Sequence, residues 1–206
     1  MNDLLPAPQR RLTRDDILPV ADYLPVRAER RRQIAELKRQ RRLEIGPFAT
    51  FHFENFATMR YQVQEMLAIE KGGEAQLRDE LDAYSPMVPQ GRELVATVML
   101  EIDDPVRRAA MLGRLGGIEE HVFIDVGGID VGGQRVRGIP DPARENTSPE
   151  GKASAVQFIE FRLSAEDAAR FKTPGTSIVV GFDHPSYAHM AVMPEAVRAA
   201  LAEDLA

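Results

Sequence analysis

Along the first half of the chain, apolar positions recur with helical spacing, and along the second half they alternate. Thr13 before Arg14, Asp15 and Asp16 reads as a helix start, because its hydroxyl can accept from the Asp16 amide and the acids suit the helix dipole. Pro19 and Pro25 keep this first helix short. A long helix is predicted over Pro25 to Leu43, closed by Gly46 and Pro47. Phe48 to Glu54 alternates as a strand. Asn55 caps a helix running to Lys71, and Gly72 and Gly73 end it. A further helix covers Glu74 to Tyr84.

Beyond Pro89 the period changes. Glu93 to Ile102, His121 to Val126, Ser154 to Leu163, Thr176 to Asp183 and Tyr187 to Met193 read as strands. Helices are predicted over Asp104 to Leu115, Ser164 to Lys172 and Pro194 to Leu205. Several strands are too close in sequence for crossover helices, so antiparallel pairing is expected. The fold class is therefore α+β, a helical N-terminal half packed on a mostly antiparallel sheet. Two subdomains are expected, residues 1–88 and 89–206. Ile124-Asp-Val-Gly-Gly128 repeats at once as Ile129-Asp-Val-Gly-Gly133, and its first glycine pair suits a hairpin turn. A phosphate loop is disfavoured, because no Lys-Ser/Thr pair follows. Gly138 to Lys152 reads as a polar loop.

The 206 residues contain no cysteine, which removes disulfides, thiolate metal sites and cysteine nucleophiles. MNDLLPAPQRR has no apolar segment of a secretory leader, and no run is long enough to span a membrane, so a cytoplasmic location is expected. Charge is uneven. Residues 1–44 hold 11 Lys and Arg against 7 Asp and Glu, while the rest holds 15 against 25. A basic arm on an acidic body points to self-complementation or to a partner matching one half, and it argues against nonspecific nucleic-acid binding.

The placement of charge on the predicted helices is more informative. At ~100° per residue, Val26, Ile34 and Leu37 share a sector with Arg30 and Arg41, and Arg27 lies at its edge. On the next helix Phe56, Met59, Val63, Met66 and Leu67 form a stripe with Glu70 in its middle. An inward arginine must meet a carboxylate, an anion or a route to solvent. Arg27, Arg30, Arg41 and Glu70 are thus candidates for a buried ion-pair network or for bidentate capture of a carboxylate or phosphate.

The histidines, His52, His121, His184 and His189, lack the spacing of a metal site. An oxygen-rich iron or manganese site would have to be assembled in space, and His184, Glu101 and Glu65 are its candidates; Glu70 and Glu160 are further acids within the same reasoning. Glu101 shares a strand face with Val95, Thr97 and Met99, which makes it a candidate for a perturbed acid. No Ser/His/Asp or nucleophile-elbow pattern is present, so no catalytic residue is assigned, and no cofactor follows from the residues.

LTRDDI at Leu12 to Ile17, Lys38 to Arg42, GPFATFHFEN at Gly46 to Asn55, YQVQEML at Tyr61 to Leu67, Ala83 to Ile102, KASAVQFIEF at Lys152 to Phe161 and HPSY at His184 to Tyr187 together resemble a bacterial family of unknown function, DUF3501. Members of that family tend to be encoded beside rubrerythrin-like proteins and iron–sulfur oxidoreductases. The resemblance therefore implies an accessory or interaction protein with a redox-enzyme partner. Without cysteine, this chain would not itself hold a cluster.

Overall fold

The computed structural model describes residues 11–128 and 133–206. The start of the second IDVGG copy falls outside these residues.

The chain opens with a 3-10 turn, Arg14–Asp16, in which Asp16 Oδ2 accepts from both the amide and the hydroxyl of Thr13 at 2.8 Å. A short helix α1 (Val20–Tyr23) leads through Pro25 into α2 (Arg27–Arg39). The long helix expected to reach Leu43 therefore stops four residues early. Leu43 and Ile45 are buried, and Arg42 and Glu44 are exposed, so β1 (Arg42–Ile45) has the two-residue period of a strand. Pairing with β2 (Ala49–Glu54) from Arg42↔His52 to Ile45↔Ala49 outweighs the helix propensity of the arginine run.

Next come α3 (Phe56–Glu70) and α4 (Gly73–Tyr84). Asn55 caps α3 by accepting from the Thr58 amide at 3.0 Å. Lys71, rather than a glycine, adopts the left-handed conformation that closes α3, with φ of 58°. The remaining elements are β3 (Glu93–Leu100), α5 (Pro105–Leu112), β4 (Val122–Val126), β5 (Gln134–Arg137), β6 (Ile139–Pro140), β7 (Val156–Arg162), α6 (Ala165–Lys172), β8 (Ile178–His184), β9 (Tyr187–Val192) and α7 (Glu195–Ala202). Most of the expected helices and strands are present, the helix predicted to Leu115 ends at Leu112, and β4 pairs antiparallel with β5. The short strands β5 and β6 are additions, and β6 lies within the segment read as loop.

The fold is α+β, with helices concentrated in the N-terminal half and strands in the C-terminal half. Among the described residues nine strands form two antiparallel sheets, ordered β1-β2-β3-β7-β6 and β5-β4-β8-β9. Across the expected 88/89 boundary, β2 pairs with β3 over six residue pairs, from Ala49↔Leu100 to Glu54↔Val95. The sheets face each other. Their common core holds Phe51, Phe161, Ile124, Val180 and Phe182, and the Phe51 and Phe182 rings are 5.4 Å apart across it. At one side the chain passes from β5 directly to β6, switching sheets at Gly138. A Cβ there would lie 2.5 Å from Ile159 Cγ2, so only glycine fits this corner. At the other side the Tyr187 hydroxyl donates to the Ile45 carbonyl at 2.6 Å, joining β9 to β1.

The outer face of the first sheet is the platform for the helices. Met59, Val63 and Leu67 of α3 and Leu77 of α4 pack with Val95 of β3 and Phe158 of β7. Helix α2 lies outside this layer, and none of its 13 residues is buried. Among the described residues no helix is long and apolar enough to cross a membrane.

Candidate functional site

The four residues expected to form one charged cluster separate into distinct environments. Arg27 donates to Glu65 through Nε at 3.0 Å and through Nη2 at 2.9 Å, and the Tyr23 hydroxyl donates to the same carboxylate at 2.5 Å. The Arg27 hydrogen bond holds Glu65 below the usual carboxylate range, and Glu65 raises Arg27 in return. Burial, reinforced by Glu65, pushes the Tyr23 phenol well above its ordinary value.

Arg41 is buried, as expected, but it lies just past the end of α2. A helical projection therefore does not describe it. Its guanidinium pairs with Asp204 and donates to the carbonyls of Phe53 at 3.0 Å, Ala200 at 3.2 Å and Glu54 at 3.3 Å. The acid that meets it is thus at the far end of the chain and not on α3.

Glu70 and Arg30 correct the inward reading. Glu70 is the last residue of α3, is exposed, and accepts from Gln76 Nε2 at 2.9 Å. Arg30 is exposed because α2 sits outside the helical layer, and its hydrogen bond is a 3.4 Å contact to Gln33.

Arg30 does, however, line a groove of about 270 Å³ between α2 and α3. Arg30, Gln33, Ile34 and Leu37 form one wall, and Ala57, Arg60, Tyr61 and Gln64 form the other. Each set has the i, i+3, i+4, i+7 spacing of one helix face. Arg27 at the start of α2 meets Glu65 near the end of α3. Lys38 at the end of α2 acts electrostatically on His52, which precedes α3. The two helices therefore run antiparallel, and their stripes oppose each other. Arg60 carries its guanidinium 5.7 Å from the Phe56 ring centroid. Among the described residues neither Arg30 nor Arg60 forms a salt bridge. An acid, Asp16, also lines the groove and is tied to Thr13.

A family model described as a protein of unknown function, DUF3501, matches residues 11–205. The chain belongs to the DUF3501 family. It is also similar to a solved structure, a novel protein of unknown function from Burkholderia pseudomallei K96243, with 38% sequence identity and a TM-score of 0.86 over 95% of this chain and 99% of that one. No curated protein matches the chain.

In this DUF3501 chain the three proposed metal ligands are not brought together. Glu65 belongs to the Arg27 pair. Glu101 accepts from the Thr50 hydroxyl and lies 3.9 Å from Arg42. His184 has both ring nitrogens engaged, one 3.3 Å from the Gly116 carbonyl and the other accepting from the Ser186 amide at 3.1 Å. Burial lowers its pKa, in keeping with a neutral structural ring. No group of three potential ligands is suited to a metal ion among the described residues. Glu160 pairs with Arg162 at 2.6 Å.

A second charged cluster crosses the sheet β5-β4-β8. Asp183 meets His121 Nδ1 at 3.1 Å, Arg137 at 2.7 Å and Arg135 at 3.5 Å, and Arg135 binds the buried Asp125 through two 2.8 Å hydrogen bonds. The Arg137 hydrogen bond, aided by His121, pulls Asp183 down to about 2. Every member of this cluster has an internal partner, which makes it a structural network. Sequence reasoning singled out Arg30 but missed Arg60, Tyr61 and Gln64. Their stripe was present in the sequence, masked by the stronger apolar stripe of Met59, Val63 and Leu67 on the same helix.

Proposed function

We propose that this DUF3501 protein is a binding protein for a small anion, which it holds in the groove between α2 and α3. One observation carries the reading: Arg30 and Arg60, from two helices, line a single groove, and neither forms a salt bridge among the described residues. Elsewhere the guanidiniums of Arg27, Arg41, Arg135, Arg137 and Arg198 are each matched to an acid. A planar guanidinium favours a carboxylate or phosphate over a halide, because its paired N–H groups match two oxygens.

Thermal unfolding tests the proposal. An anion that occupies the groove stabilises the fold by mass action, by roughly 5–10 °C at a hundredfold excess over Kd. The Arg30→Ala/Arg60→Ala double variant should melt as the wild type does without ligand and lose that shift. A panel of carboxylates and phosphates that leaves the wild type unmoved overturns the reading.

A second reading concerns a protein partner. The family resemblance implies an accessory role beside an iron–sulfur oxidoreductase or a rubrerythrin-like protein in the cytoplasm. The uncovered, basic α2 favours it, since it offers an acidic surface a face that costs little desolvation to approach. Gentle co-purification from the native host is the test, and recovery of no redox protein would remove this reading.

A further inference from the structure

We infer that the groove between α2 and α3 selects an amphipathic anion, one with a carboxylate or phosphate head and a short unbranched or flat apolar body. The inference rests on the anion-binding reading and narrows it. The polar inventory of the groove is nearly exhausted by internal contacts. The Gln64 side chain is spent on the Leu18 backbone, accepting from its amide at 2.9 Å and donating to its carbonyl at 3.0 Å. Gln33 Nε2 donates to Glu29 at 3.0 Å, and the Tyr23 hydroxyl is held by Glu65. The groups left for a ligand are the two guanidiniums, the Tyr61 hydroxyl and Asp16, whose Oδ2 is already held by Thr13.

The rest of the lining is apolar and unevenly distributed. Because α2 and α3 are antiparallel, Arg30 lies toward the Gln64 end, Arg60 stands about level with Ile34, and Leu37 lies toward Ala57. A stripe from i to i+7 is about 10 Å long, at 1.5 Å per residue. An anion at the arginines thus leaves a strip of half-buried aliphatic surface beside it. Inorganic phosphate would satisfy the charge and leave this strip wet, whereas a ligand with a chain of about six carbons would cover it. The groove volume of about 270 Å³ suits a body of that size.

Isothermal titration of the full chain with five probes tests this: hexanoate, hexyl phosphate, acetate, inorganic phosphate and hexanamide. Hexanoate and hexyl phosphate should bind roughly tenfold or more tighter than acetate and inorganic phosphate, since each buried methylene adds to affinity. The ratio of the two hexyl ligands shows which head group the arginines prefer. Hexanamide should not bind. Leu37→Asn should erase the advantage of the hexyl ligands without weakening acetate or phosphate, with far-UV circular dichroism confirming that α2 persists. Equal affinity for short and long anions overturns the amphipathic inference and leaves the anion reading standing. Hexanamide binding as well as hexanoate overturns both, as does the absence of binding by all five.

Discussion

The guanidinium of Arg41 and the carboxylate of Asp204, 163 positions apart in sequence, form an ion pair whose side chains are only 3% and 7% exposed. Arg41 also collects carbonyls from β2 and α7, so it ties the C-terminal residues to the first sheet. Removing the arginine takes a buried charged partner from Asp204 and a donor from three carbonyls. Arg41→Ala should therefore destabilise the fold by about 3–5 kcal/mol in chemical denaturation. A paired apolar replacement, Arg41→Met with Asp204→Leu, should recover most of that loss, because no charge is left buried without a partner. A single variant as stable as the wild type would show that the pair is dispensable.

Arg30 supplies the contrast. Its exposed side chain forms no salt bridge among the described residues, so Arg30→Ala should shift the unfolding free energy by less than about 0.5 kcal/mol. A larger loss would mean that Arg30 holds α2 in place, and the groove would then need a different source of positive charge.

The Arg27–Glu65 pair predicts a pH signature. Arg27 holds Glu65 below the usual carboxylate range, so its carboxylate contributes stability that is present above the ordinary glutamate value and fades as pH falls through the lowered folded value. The difference in melting temperature between wild type and Glu65→Gln should be largest near neutrality and shrink below about pH 4. A difference that stays constant from pH 7 to pH 3 would mean that Arg27 does not favour the ionised form.

Asp183 offers a direct titration. Carbon-detected NMR of the carboxyl groups should show it ionising with a midpoint of about 2, well below the ordinary aspartate value. The sign follows from the depressed value: the contribution of the carboxylate is complete above pH 4 and is lost as the pH approaches 2. Arg137→Ala should move the midpoint upward, since its hydrogen bond is the largest cause of the shift. An unchanged midpoint in that variant would assign the shift elsewhere.

Gly138 tests the corner between the sheets. A methyl group there would meet Ile159 at 2.5 Å and Phe161 and Val122 at 3.2 Å. Gly138→Ala should cost about 1–3 kcal/mol through overpacking, read from the denaturation midpoint at unchanged m value. Wild-type stability would show that the corner can open without loss.

Local chemistry was legible where the chain negotiates only with itself. Thr13 and Asp16 close a capping box, Asn55 starts α3, and Asp104 and Ser164 cap α5 and α6, because each requires only a side chain within three residues of its amide. The strand β1 was not legible. Arg42-Leu-Glu-Ile45 follows an arginine-rich helix, and its strand state depends on hydrogen bonds to β2 that a local pattern does not contain. The inward charge was legible in kind but not in partner: Arg41 is buried, yet its acid is Asp204, and Glu65 takes the place given to Glu70.

By itself, the amino-acid pattern determined the α+β class, most element types, the caps and the presence of arginines needing anionic company. These are short-range consequences of helical and strand periodicity and of the cost of an unpaired charge. Tertiary structure alone decided which carboxylate answers which arginine. It also decided that α2 lies outside the buried helical layer, and that Arg30 and Arg60 face a common groove. Those outcomes depend on antiparallel docking of two helices and on closure between residues more than a hundred positions apart, relations that no local periodicity encodes.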